Sequence, residues 1–280
     1  VSEILAYEFM RRALVVVLLA GGLSSLVGFF VVSQRLAFAG HGVAHSAYGG
    51  LAVGLLLGTS SFWTGTLFAV AVALLIGWIT RRGRLAEDTT IGILHAAAMA
   101  LGTAILSRVP GYVDLFSLLF GNVLAAQAAE VRALALVGGG VALFVILRFH
   151  DLMSVAFSEE LARIDGRSVE VLSYGLLVAV ALVVMVSVRA VGVVLASALL
   201  VIPTAAARQV ASGYRQVLGL SLVVSLVSGV GGLILSFLWD LPSGASIVLV
   251  ATFLFGLSLA ARHWRERRRR GLALAPFPGR

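Results

Sequence analysis

Eight uncharged stretches, each long enough to cross a bilayer, dominate this sequence: 13–32, 36–58, 62–80, 89–107, 171–188, 190–207, 216–239 and 241–261. Hydrocarbon offers no water to backbone N–H and C=O groups, so such stretches must satisfy those groups internally, as helices do. A shorter run at 133–147 spans with help from its flanks. The segment 115–126 (LFSLLFGNVLAA) is too short to cross and reads as a re-entrant or interfacial helix. The expected fold is therefore all-α: a polytopic membrane protein with about nine transmembrane helices and its termini on opposite sides.

The basic residues orient it. All 21 are arginine, and the chain has no lysine. With the C-terminus in the cytoplasm, inside segments hold 16 arginines and outside segments hold five, as the positive-inside rule requires. Arg11 and Arg12, at the outer N-terminus, run against that bias. No small-residue cleavage site clearly follows the first apolar run, so no cleavable signal peptide is expected. The net charge of +8 lies mostly in short loops and a tail beside the spans, which is no nucleic-acid signature. Residues 1–262 read as one transmembrane domain, followed by a basic cytoplasmic tail at 263–280 that touches anionic lipid. The absence of cysteine excludes thiolate metal sites and disulfides. The absence of lysine excludes a P-loop ATPase site.

The second span, RLAFAGHGVAHSAYGGLAVGLLLG, carries His41 and His45 four residues apart, hence on one helix face. About 100° around the helix runs a small-residue stripe, Gly42, Ser46, Gly50, Gly54 and Gly58, suited to close helix packing. Ionisable side chains inside a bilayer usually mark a pathway or a site, and this pair reads as metal ligands. The plainer reading is two neutral histidines hydrogen-bonded to adjacent helices. HGVAH shares the histidine spacing of the zinc-protease motif but has Gly42 where the general-base glutamate belongs, which disfavours a hydrolase. His95 is a third intramembrane histidine and an additional candidate ligand. Asp114 and Asp240 at outer boundaries, and Pro203 inside a span, are pathway or gate candidates.

The longest cytoplasmic connection, FHDLMSVAFSEELARIDGRSVE, predicts a short helix. Ser158 caps it, Glu159 and Glu160 favour its positive end, Leu161, Ala162 and Ile164 follow, and Gly166 ends it. Such an amphipathic element is a natural dock for a cytosolic partner.

FMRRAL…RLAFAGHGVAHSAYGG, EDTTIGILHAAAMALG, DLFSLLFGNVLA, EELARIDG, AVGVVLASALLVIPTAAAR and DLPSGASIVLVA, in this order, resemble successive blocks of the permease subunits of bacterial zinc- and manganese-type ABC importers. The resemblance covers residues 9 to about 260. It implies a homodimer in the bacterial plasma membrane, bound to two cytosolic ATPases and fed by an extracytoplasmic metal-binding protein. ATP would act only through the partner, no cofactor would be held permanently, and EELARIDG would be the coupling element. His41 stands where many relatives have aspartate, while His45 matches. Two imidazoles are softer than Asp plus His, which leans towards zinc over manganese, although imidazole also suits iron, copper and nickel. The alternative is an ATPase-independent secondary transporter or channel for a divalent cation. Reporter fusions after each span are expected to place residues 149–170 and the C-terminus inside; an outside 149–170 would overturn this map.

Overall fold

The computed structural model describes residues 7–83, 85–108, 121 and 123–273. Among the described residues every regular element is helical. In chain order these are α1 (Glu8–Ser33), α2 (Ala37–Leu56), α3 (Ser61–Arg82), α4 (Glu87–Leu106), a 3-10 turn (Val123–Ala125) and α5 (Ala128–Leu147). There follow α6 (Phe149–Phe157), α7 (Glu159–Ile164), α8 (Val169–Val191), α9 (Val193–Val210), α10 (Tyr214–Trp239) and α11 (Ser243–Ala273).

Eight of these helices are long and apolar enough to cross a membrane. α2 has the length of a span but is not one of the eight; histidines, Ser46 and glycines interrupt its apolar residues. Its position compensates. Most of α2 is buried between α3, α4, α8 and α9, so protein rather than lipid surrounds it. α8 is the hub, with 72% of its apolar window buried, against 22% for each of α4, α5 and α11. The hub packs on α1, α2, α3, α5 and α9, while α1, α9, α10 and α11 form a second group that meets the hub through α1 and α9.

Local chemistry explains most of the helix ends. The short run at 133–147 becomes the full-length α5 because Glu130 accepts the Gln127 N–H at 3.0 Å and Arg189 binds the same carboxylate at 3.3 Å. The charged first turn of α5 thereby belongs to the helix. Asp240 ends α10 in the left-handed conformation (φ 52°), which aspartate tolerates better than most residues. Asp114 and most of the segment 115–126 lie outside the described residues. The tail of that segment is the 3-10 turn, held by Ser243 Oγ, which accepts the Val123 N–H at 3.0 Å. α11 runs without a break through the expected domain boundary after residue 262. Arg262 and Arg265 tie it to the end of α9, on Gln209 Oε1 at 2.9 Å and the Val210 carbonyl at 3.2 Å.

The connection 149–170 holds two short helices where one was expected. α6 buries Leu152 and Val155, an apolar pair with no evident role in the linear sequence. α7 has the predicted caps. Ser158 Oγ accepts the Leu161 N–H, and Gly166 (φ 75°) closes the helix with N–H bonds from Gly166 to Arg163 and from Arg167 to Ala162, both 3.0 Å. Asp151 pairs with Arg148 within the first turn of α6 and with Arg167, which ties α6 to the turn between α7 and α8.

The small-residue stripe of α2 divides between two neighbours. A Cβ on Gly50 would lie 2.6 Å from Phe68 Cβ and 2.7 Å from Gly65 Cα, and one on Gly54 would lie 2.7 Å from Ser61 Cα, all on α3. A Cβ on Gly42 would meet Ile91 Cγ2 of α4 at 2.5 Å. Ser46 is buried and donates to the Gly42 carbonyl at 2.7 Å. Gly58 is a correction to the expected stripe. It lies beyond the end of α2 at φ 62° with open space around it, so it serves the turn to α3 rather than the packing. Gly50→Leu is expected to lower thermal stability in detergent by about 1–3 kcal/mol or to abolish folding, because the α2–α3 contact cannot widen locally. Gly139→Ala, at an open position of α5, is the control that should leave the melting temperature unchanged or raised.

Candidate functional site

α2 and α4 cross closely because small residues meet at the crossing. A Cβ on Gly49 would lie 2.8 Å from the Ala98 carbonyl oxygen, and one on Gly102 would lie 2.5 Å from the Tyr48 ring. This approach sets His95 of α4 opposite the α2 pair. The His41 and His45 ring centroids are 4.4 Å apart, and His95 lies 5.1 Å from His45 and 6.0 Å from His41. Three imidazoles from two helices thus share one site. His41 is exposed, and His45 and His95 are half-buried. The cluster therefore occupies the strip of α2 that its own chain leaves open. The Nδ1 of His95 is buried and without a hydrogen-bond partner. A buried polar nitrogen left in this state is costly unless something else satisfies it.

The cluster is open rather than closed. Among the described residues no three His, Asp or Glu side chains are arranged at metal-holding geometry. Neither of the remaining described pathway candidates joins the histidines. Pro203 is buried within α9, where it removes one helix hydrogen bond beside the unpartnered Thr204 hydroxyl. Asp240 caps α10. His150 and His263 lie on α6 and α11.

A second feature has no clear signature in the linear sequence. At the end of the bundle carrying the α6–α7 hairpin, a cavity of about 750 Å³ is lined by Gln34, Thr80, Arg81, Glu87, Glu159 and Ser173, among others. Arg81, in the last turn of α3, donates to Ser173 Oγ at 2.6 Å and reaches Glu159 at 3.5 Å. Its sequence signal is the Arg81–Arg82 and Glu87–Asp88 pairs flanking a tight turn, which alone indicate only a charged loop. On the hairpin surface Phe157, Leu161 and Ile164 are exposed, an apolar patch among charged residues.

Residues 6–262 match the family described as the ABC 3 transport family. The chain is 32% identical over 276 residues to the "Manganese transport system membrane protein MntC" of Halalkalibacterium halodurans, covering 95% of this chain and 94% of that protein. It is 30% identical over 258 residues to the "High-affinity zinc uptake system membrane protein ZnuB" of Haemophilus influenzae, covering 91% and 98%. Its fold is similar to a chain of the solved structure "PsaBC from Streptococcus pneumoniae in complex with Fab", with a TM-score of 0.80, 29% identity and coverage of 90% and 91%. Eight apolar spans, the absence of a P-loop and a family match over nearly the whole length converge on one assignment: the chain belongs to the ABC 3 transport family and is a multi-pass membrane permease subunit that carries no ATPase site of its own.

Proposed function

We propose that this permease moves a divalent transition-metal ion into the cytoplasm, with His41, His45 and His95 as transient ligands and ATP hydrolysed on a separate cytosolic subunit. The observation that carries the reading is the convergence of the three imidazoles at the α2–α4 crossing. Imidazole suits zinc, copper, iron and nickel better than magnesium or calcium. Zinc is the favoured cargo, with manganese or iron as alternatives, and the relatives named for manganese and for zinc support that range. A permease must release its ion, so a closed four-ligand site of the structural zinc type would hold it too well. An incomplete shell, finished by water or by a second copy of the chain, suits passage. Gly92, Ala96, Ala100 and Ala104 form an open small-residue face on α4 next to the cluster, and a second copy packed there would bring the two clusters together.

The α6–α7 hairpin is the proposed dock for a cytosolic ABC ATPase, through Glu160, Leu161 and the exposed Phe157 and Ile164; Ala162, expected with them, is buried under the helix and does not face the partner. An extracytoplasmic metal-binding protein would deliver the ion at the opposite face. In proteoliposomes holding the permease and its ATPase, ATP is expected to drive zinc uptake, and the permease alone should carry none. Uptake without the ATPase would instead establish the secondary-transporter reading. His45→Ala and His95→Ala should each cut uptake by more than about tenfold, since even an outer-shell loss costs that much in metal affinity. Normal rates in both variants would make the cluster a packing feature. Gly166→Val should leave the protein inserted but uncouple hydrolysis from uptake, because a β-branched residue resists the left-handed cap at φ 75°.

A further inference from the structure

Three arginines gather at the end of the bundle opposite the α6–α7 hairpin. α1 finishes at the hairpin cavity, so it starts at the far end, and α5 starts beside it. Arg11 and Arg12 of α1 and Arg132 of α5, all within the first five residues of their helices, line one cleft of about 490 Å³. The lining positions 8, 11, 12 and 15 form one face of α1, and 128, 131 and 132 form one face of α5. The two faces make a wedge, which closes deeper in the bundle where Gly138 packs on Leu23.

The wedge carries more positive charge than the described residues neutralise. Its one acid, Glu8, pairs with Arg12. Glu130, beside Val131 on α5, is held by Arg189 instead. The side chains of Arg11 and Arg132 are exposed, and among the described residues neither makes an ion pair or hydrogen bond. Two arginines from two helices are thus left over, in a cleft whose other walls are Val15, Ala128 and Val131. They stand on the side expected to lie outside, against the positive-inside bias, so setting the topology is not their use.

Beyond the arginines the same two faces continue as an apolar strip. Val15 and Leu18 follow Arg11 by four and seven residues, and Leu136, Gly139 and Leu143 follow Arg132 by four, seven and eleven. The four large side chains are exposed, Leu136 at 78%, and a Cβ on Gly139 would meet nothing. On a membrane span such a strip faces lipid. A cationic cleft at the head of a lipid-facing strip matches a molecule with an anionic head and an apolar tail. Phosphate oxygens accept well from guanidinium forks. A zwitterionic lipid brings an ammonium group, which the two free arginines repel. An acidic protein surface would satisfy the arginines but not the strip.

We propose that the α1–α5 cleft is a binding site for an anionic phospholipid: Arg11 and Arg132 hold its phosphate, and an acyl chain lies along the strip beyond them. Bound there, the lipid bridges α1 to α5, a helix with only 22% of its apolar window buried by this chain, and so stabilises the bundle. The site is independent of the transport function proposed above and of the metal carried.

The test uses the whole permease in a neutral detergent, with dioleoyl-phosphatidylglycerol as the probe and dioleoyl-phosphatidylcholine as the zwitterionic comparison. It reads bound lipid by native mass spectrometry and the melting temperature. Wild type is expected to retain phosphatidylglycerol in preference, and to melt a few degrees higher with it than with phosphatidylcholine. Arg11→Ala and Arg132→Ala should each weaken phosphatidylglycerol binding by about fivefold, and the double variant should lose the preference. Arg215→Ala, which removes an exposed arginine at the hairpin end, should keep it. Equal binding of the two lipids by wild type, or a preference that survives the double variant, would overturn the site. So would an equal stabilisation by inorganic phosphate, which marks a plain anion site with no use for the acyl chain. A wild type without lipid preference, whose double variant loses affinity for an extracytoplasmic binding protein, would assign the cleft to that protein instead. If the double variant misfolds, the lipid retained by the two single variants decides.

Discussion

The close approach of α2 to its neighbours is the constraint on which the rest of the structure depends. Helices in a bilayer gain little from hydrophobic burial against each other, because lipid is as apolar as leucine. They gain from packing, and packing at this range requires that Cβ atoms be absent. Gly50 and Gly54 admit α3, and Gly49, with Gly102 opposite, admits α4. The same economy recurs where α1 meets α9: a side chain on Gly28 would run into the Leu200 carbonyl, one turn before Pro203. A helix with so many glycines and two histidines is a poor candidate for lipid exposure. α2 is stable as a span because other helices enclose it.

That enclosure also decides where the polar groups can be. The three histidines sit on the strip of α2 and α4 that the chain leaves open, while the small-residue stripe takes the packed faces. The open strip and the tight seam are two consequences of one pattern. An imidazole turned inward would have needed a hydrogen-bond partner in a core with almost none to spare, and the buried Nδ1 of His95 already lacks one. Outward, the rings stay open to whatever lies outside this chain. This suits a transport site, which needs ligands that let go.

The hairpin end of the bundle follows a different logic. One of its acids and one of its arginines each take two partners. Asp151 takes two arginines, and Arg81 reaches both Glu159 and the Ser173 hydroxyl. Asp151 thereby joins α6 to the turn before α8, and Arg81 joins α3 to α7 and α8.

Much of this is legible in the sequence, and the reason is the solvent. A bilayer imposes a length and a polarity on every crossing, so the spans stand out as runs of residues, and the capped helix at Glu159–Ile164 stands out between them. The spacing of His41 and His45 defines one face of a helix because an i, i+4 relation is local. α6 escapes a linear reading because its apolar pair, Leu152 and Val155, becomes meaningful only when the bundle is there to bury it. Gly58 falls outside the packing stripe because a four-residue periodicity does not say where a helix stops. The sequence makes His95 a suspect but does not locate it, since its distance from His45 depends on how two helices cross. Arg81, Ser173, Glu87 and Glu159 come from four helices, and no linear pattern links them. The sequence by itself determined the helices, their caps and the faces they carry, because those are set by neighbours along the chain. Only the tertiary structure decided which faces meet, because small residues permit a close crossing but do not choose the partner.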